Sequence, residues 1–434
     1  MTPEIEKRIK AVKAGRVPAG YKKTKVGIVP KDWSEVRFHD MFSRVTRKNK
    51  DGNTNVLTIS AQYGLINQND FFNKTVASDD KSNYYLMEKG EFAYNKSYSN
   101  GYPFGALKRL DYYDKGIVSP LYICFAANEN NKYPDFYVHY FEAGLMNKEI
   151  QAFAQEGARN HGLLNISVDD FFNSNLLNPP FEEQKKIAEI LSAQDKIIEL
   201  KEKLVAEKQR QKKFLMQTLL SNNKNKFKIN GIVIDKRKWK ELSLSDCCLK
   251  DAQYGLNAPA CEFKENLPKY IRITDIDENG RYNKQSTAYV DVADYKDYLL
   301  KENDILLVRT GSTTGKSYLY EKSDGKLVFA GFLIKFSINS NVVDRRIVYA
   351  CLYTMDYWKW VSVMSMRSGQ PGINANEYSK YKFKIPLDRN EQNAIADILS
   401  SADEEISLLQ CDLEQEKLKK KSLMQLLLTG IVRV

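Results

Sequence analysis

With 434 residues, 43% of them apolar, the chain can bury two or three ordinary cores and is expected to form more than one domain. The 66 Lys and Arg against 55 Asp and Glu give a net charge of +11, which favours a polyanionic partner. Six cysteines without a C-x-x-C pair and three scattered histidines (His39, His139, His161) speak against a disulfide framework or a zinc site, and no apolar run reaches the length of a membrane span, so a cytoplasmic location is expected.

In chain order, residues 1–24 are charged throughout and hold a helix-like segment from Pro3 to Lys13. Residues 25–178 are rich in short β-type runs such as "NVLTIS" and "GIVSPLYICF", divided by Gly/Asn/Asp turns, and acquire a helical stretch around "YVHYFEAGLMNKEIQAFAQ". A long helix is expected within residues 179–222. Residues 223–384 repeat the mixture, with "YIRIT", "DILLVRT" and a helical stretch around "IVYACLYTMDYWKWVSVM", and residues 385–434 carry a second long helix. The fold class is therefore α+β.

The order domain, helix, domain, helix is a true repeat. "EQKKIAEILSAQDKIIELKEK" from Glu183 and "EQNAIADILSSADEEISLLQC" from Glu391 stay in register without a gap to Leu220 and Leu428. They share Ile187/Ile395, Leu191/Leu399, Ser192/Ser400, Asp195/Asp403 and Leu215-Met216-Gln217/Leu423-Met424-Gln425. The flanking domains align too. Trp33-Ser34-Glu35-Val36 before Asp40 matches Trp239-Lys240-Glu241-Leu242 before Asp246; "GEFAYNKS" matches "NDILLVRT"; "IVSPLYICF" matches "LVFAGFLIKF". In the second helix Ile395, Leu399, Ala402, Ile406, Leu409 and Leu413 alternate spacings of four and three, which is a coiled-coil seam. Its counterpart in the first runs through Ile187, Leu191, Gln194, Ile198, Lys201 and Val205, and in both copies the seam turns polar at Lys208/Glu416 and Lys212/Lys420. Two equivalent halves related by a pseudo-two-fold require the helices to pair antiparallel.

Two short motifs suggest catalysis and fail on context. Asn178-Pro179-Pro180-Phe181 matches the tetrapeptide with which amino-methyltransferases hold a base nitrogen, yet no glycine-rich cofactor loop sits in a βαβ pattern and the second copy has only "KIPLDRNEQ". Proline there suits a strand-to-helix junction. "VRTGSTTGKS" has three residues between its glycines where a phosphate-binding loop needs four, and the β-like "SYLYEK" follows where a helix should begin. What remains are loops whose side chains suit DNA, since Arg and Lys neutralise phosphates and Arg, Asn and Gln read base edges. They are Arg44, Arg47, Lys48 and Lys50; Lys96, Ser97 and Asn100; Arg159 and Asn160; Arg309, Thr310, Ser312, Thr313 and Lys316; and Arg367, Ser368 and Gln370.

The repeated "EQ-x-x-IA-[ED]-IL" helices, the Trp-bearing segments and the "SPLY"/"FAGF" strands together resemble the specificity subunit of type I restriction–modification systems, over essentially the whole chain from Gly20 onward. The resemblance implies two pseudo-symmetric target recognition domains (25–178 and 223–384) joined by two long antiparallel coiled-coil helices. Each domain would read one half of a bipartite, asymmetric site on double-stranded DNA. The helices would dock two modification (methyltransferase) subunits, and whether two restriction (translocase/nuclease) subunits join is left open. S-adenosylmethionine would then sit on the modification subunits, ATP and Mg on the restriction subunits, and neither a catalytic site, a cofactor nor a metal in this chain. Two other readings stay in view: a self-sufficient adenine-N6 methyltransferase using Asn178 to Phe181, and a coiled-coil scaffold that binds DNA through charge alone.

Overall fold

A computed structural model describes residues 2–60, 64–69, 80–98, 101–156, 164–221, 225–229, 231–284, 287–366 and 369–434. The chain divides into two compact units, Met1–Lys201 with Asp412–Val434, and Glu202–Cys411. Both long helices cross the division: the central helix spans Phe181–Leu220 and the C-terminal helix Arg389–Leu427.

The centre of the first unit is a four-stranded antiparallel sheet in the order Phe42–Val45, Ile123–Ala127, Phe92–Asn95, Ala106–Arg109. Alternate residues of its inner strands face opposite sides. Phe92, Tyr94, Ile123 and Phe125 join Phe38, Phe42, Phe141 and Phe171 in one core, whereas Ala93, Cys124 and Val45 join Leu57, Leu65 and Met87 in another. Burial on both faces explains why these strands read as unbroken apolar runs. The aromatic core is covered by Pro134–Glu142, Asn147–Phe153 and the start of the central helix, through Ile187 and Leu191.

The second unit repeats this plan, with Gln253–Tyr254, Leu333–Ser337, Asp304–Val308 and Ser317–Leu319 in the corresponding order. Ile305, Leu307, Ile334 and Phe336 face Arg345–Cys351, Met355–Met364 and the long helices. Leu306, Val308 and Leu333 face Ile271, Leu327 and Phe329. The strand alignments read from sequence thus hold. The helical stretches differ from expectation, since each is two helices. Gly144 at φ +69° ends the first of the earlier pair, and Thr354, accepting from Tyr357 N–H at 3.3 Å, starts the second of the later pair.

The long helices pair antiparallel within each unit. In the first, Asp195 bonds Lys420 at 2.5 Å, Gln194 Nε2 donates to Glu416 Oε2 at 2.7 Å, and Lys201 pairs with Asp412. In the second, Lys208 pairs with Glu405 and Lys212 with Asp403, both at 2.6 Å. The polar interruptions of the seam are therefore cross-helix ion pairs and hydrogen bonds. Ile187, Leu191, Val205, Ile395, Leu399, Ile406 and Leu413 are buried, while Ile198 and Leu409 are half-buried.

Each helix begins in the same way. The indole Nε1–H of Trp33 donates to Glu183 Oε2 at 2.8 Å and that of Trp239 to Glu391 Oε2 at 3.1 Å. Gln184 and Gln392 donate back to the carbonyls of Pro179 and Pro386, at 2.8 and 2.9 Å. Each helix end carries a small hairpin. Tyr21–Lys23 with Ile28–Pro30 meets the C-terminal helix, where Tyr21 Oη donates to Gly430 O at 2.6 Å. Lys226–Ile229 with Ile232–Asp235 meets the central helix, where Lys236 Nζ donates to Thr218 O at 2.8 Å and to Ser221 O. A lysine donating to terminal carbonyls satisfies groups the helix leaves unpaired. The segment Pro3–Lys13 is the helix its sequence suggests, with Thr2 as N-cap.

Candidate nucleic-acid interface

At one end of the second unit's sheet the strand Asp304–Val308 runs into Arg309. Its N–H donates to Phe332 O at 3.0 Å, and its carbonyl accepts from Ile373 N–H at 2.9 Å. The guanidinium carbon lies 4.7 Å from the Tyr254 ring centroid, a cation–π contact that presets the side chain's direction. Gly311 N–H donates to Pro371 O at 3.0 Å, and Thr310 Oγ1 to the same carbonyl at 3.4 Å. Gly311 and Gly315, at φ +89° and +94°, allow the tight return. Arg309, Thr310, Ser312 and Thr313 therefore share one rim with Gln370, some sixty residues further along the chain. Lys316 is held differently: Glu278 takes its ammonium at 2.5 Å, so its charge is already balanced. Arg367 and Ser368 lie outside the described residues.

The first unit places Lys96 at the equivalent strand end. Its carbonyl accepts from Leu164 N–H at 3.1 Å, as Arg309's does from Ile373, and Ser97 N–H donates to Asn95 Oδ1 at 3.1 Å. Asn100, Arg159 and Asn160 lie outside the described residues. In the basic loop, Asn49 bridges to Asn53 through both amide atoms and orders the backbone. Lys50 is exposed there; Arg44, expected in the loop, instead lies exposed on the strand Phe42–Val45, opposite Phe125, and neither has an ion pair among the described residues. Arg47 is not so placed, because Glu91 accepts from its Nη2 with both oxygens at 2.7 and 2.8 Å. Lys48 donates to Asn83 O at 2.8 Å and lies 4.5 Å from the Tyr85 ring centroid.

The catalytic look-alikes serve the fold. Asn178 ends the strand Asn175–Asn178, and its Oδ1 accepts from Gln184 Nε2 at 2.7 Å and from Tyr137 Oη at 3.4 Å. The carboxamide that would clamp a base is engaged in starting the helix. After "TTGK" comes the strand Ser317–Leu319, so no helix N-terminus faces the turn to bind phosphate. All six cysteines are free thiols, and burial pushes those of Cys124, Cys247 and Cys248 up to about 12. Among the described residues no cluster of His, Cys, Asp or Glu could hold a metal ion, and no helix is long and apolar enough to cross a membrane.

Sequence reasoning missed two aromatic side chains on the rim, Tyr254 and Phe332. The register of "IVSPLYICF" with "LVFAGFLIKF" carried the signal, because it puts Leu121 opposite Phe332.

A family model for the type I restriction modification DNA specificity domain matches the chain twice, at residues 30–209 and 236–418. The type I restriction enzyme MjaVIII specificity subunit of Methanocaldococcus jannaschii is 27% identical over 329 residues, 74% of this chain and 75% of that one. The fold is shared with the S subunit of a type I restriction–modification system from M. genitalium (TM-score 0.53, 14% identity, 91% of this chain and 96% of that one). It is shared as well with a chain of a type I R-M system solved to explain complex assembly and conformational transition (TM-score 0.54, 15% identity, 93% and 99%). Two matched domains, each built on the same sheet and the same helix start, place this chain in the type I restriction–modification DNA specificity family as a non-catalytic, DNA sequence-recognition subunit.

Proposed function

We propose that this chain reads a bipartite, asymmetric DNA site, one half with each recognition domain (25–178 and 223–384), and docks two modification subunits along its paired helices. The observation that carries this reading is the repeated sheet end, where the carbonyl of Lys96 accepts from Leu164 N–H in one unit and that of Arg309 from Ile373 N–H in the other. Phosphate contacts from Arg44, Lys48, Lys50 and Lys96 would position one half, and Arg309, Thr310, Ser312, Thr313 and Gln370 the other, with Arg and Gln available for base edges. Linking two weak readers multiplies their selectivity, so each half-site alone binds poorly. Methyl transfer from S-adenosylmethionine belongs to the modification subunits. ATP and Mg belong to restriction subunits where these join.

Co-expression with modification subunits in a host free of DNA methylation, followed by mapping of modified adenines, tests this. A two-part motif with a fixed gap is expected. Methylation by this chain alone would support the enzyme reading of Asn178 to Phe181. DNA binding that is steeply salt-dependent but indifferent to sequence would support a scaffold.

A further inference from the structure

The same four-residue turn leads into the same sheet strand in both units. Tyr122 N–H donates to Ser119 O at 3.0 Å in the first, and Leu333 N–H to Ala330 O at 2.8 Å in the second. At the third position of each turn stands a large apolar side chain turned to solvent: Leu121 is 61% exposed and Phe332 is 59% exposed. The strands that follow, Ile123–Ala127 and Leu333–Ser337, pair with Phe92–Asn95 and Asp304–Val308, the strands that run into Lys96 and Arg309. Apolar tip and cation thus share one sheet end in each unit. In the second they are joined directly, by Arg309 N–H to Phe332 O, with Tyr254, itself 40% exposed, beneath the guanidinium.

One exposed apolar residue needs no explanation. Two at matched positions do, where the turns otherwise differ (Pro120 against Gly331, Ser119 against Ala330) and a cation accompanies each. A protein partner that wanted only the apolar tip would leave the repeated cation without a role. Duplex DNA offers both needed surfaces side by side, phosphates or guanine edges for the cation and the thymine methyl for the tip.

We propose that Phe332 and Leu121 are specificity-determining residues, each packing against a base edge in the half-site of its own domain while Arg309 or Lys96 anchors beside it. The inference rests on the proposed reading of DNA by these sheet ends. Gly255 supports the turn in the second unit: a Cβ there would lie 2.1 Å from Ala330 O, so the neighbouring strand can pass this close only as glycine.

The full chain carrying Leu121→Ala, Phe332→Ala, Phe332→Leu or Leu249→Ala is co-expressed with modification subunits in the methylation-free host, and the methylated motif of each is mapped. Leu249 is the control. It is as exposed, at 65%, but its N–H bonds Ser337 O at the far end of the same sheet. Phe332→Ala is expected to lose roughly ten-fold selectivity at one or two adjacent positions of one half-site, and Leu121→Ala the same in the other half. Phe332→Leu should keep more of that selectivity than Phe332→Ala, and Leu249→Ala should leave the motif unchanged. Alanine variants with the wild-type motif, or one substitution that alters both halves, would overturn the proposal. Absence of a two-part motif from the wild type would remove the reading beneath it, and is distinguished by arising before any variant is compared.

Discussion

Single side chains decide how much of this protein's charge is free to act. The basic residues Arg47 and Lys316 look equivalent to Arg44 and Arg309 in sequence, yet Glu91 and Glu278 neutralise them. Neither partner is near in sequence, which is why no local pattern announced the difference. His139 shows the same dependence on distant packing. It is buried against the central helix, sharing a hydrogen bond with Ser192 Oγ at 3.0 Å, with Asp195 at 3.7 Å and Lys420 nearby. Burial lowers its pKa to about 4, helped by Lys420 and opposed by Asp195, Asp135 and Glu142. Well above pH 6.5 the ring is neutral whether the chain is folded or unfolded. As pH falls, the unfolded chain takes the proton first, so stability declines until the folded ring also protonates near pH 4, by a total on the order of 3 kcal/mol. Urea unfolding between pH 7 and pH 4 should therefore be steeper in pH for the wild type than for His139→Gln, which keeps a polar atom towards Ser192 and cannot ionise. Equal pH dependence in the two would show that the ring is not held neutral.

The elements were largely legible because the sequence contains two versions of each. A heptad seam, a Trp three residues before a strand's apolar residue (Val36, Leu242) and a Gln at the second place of "EQ" could be compared with a copy, and each proved to be a contact: Trp33 with Glu183, Trp239 with Glu391, Gln184 and Gln392 with the preceding carbonyls. The seam's polar positions read as flaws in one helix alone, yet Gln194, Lys201, Lys208 and Lys212 all find partners on the other helix. Less legible were the breaks within the short helices, since capping at Gly144 and Thr354 interrupts a periodicity without changing composition. The rim itself was legible only as separate loops, because residues 309–311 meet 371–373 through backbone bonds that no spacing rule anticipates. Every cross-helix pair described above lies within a single unit, so a heptad inserted after Lys201 together with one after Cys411 preserves them all. Seven residues add about 10 Å of helix, at most roughly three base pairs of DNA. Methylation mapping should return the same two half-sequences with a longer gap. Altered half-sequences with an unchanged gap would mean that the helices do not set the spacing.

For the whole molecule, the proposed reading draws selectivity from two modest interfaces carried on one chain, and the net charge of +11 would add attraction to DNA that is blind to sequence. In the second unit, hairpin and helix end are linked by the backbone around residue 223, with Lys236 reinforcing the joint. In the first unit the corresponding joint has no peptide bond. Tyr21 reaches Gly430, and Arg433 bonds Asp32 at 2.6 and 3.0 Å and Glu183 at 2.6 and 2.9 Å. A break placed between Ser221 and Lys226 would leave two pieces of one design, each a hairpin, a recognition domain and one long helix. Co-expressed, the two pieces should copurify and, with modification subunits, methylate the same motif as the intact chain; failure to associate would mean that the noncovalent joint cannot substitute for the covalent one. The molecule would then be a heterodimer that happens to be written as one polypeptide, and which of its two equivalent joints carries the peptide bond would be immaterial to what it reads.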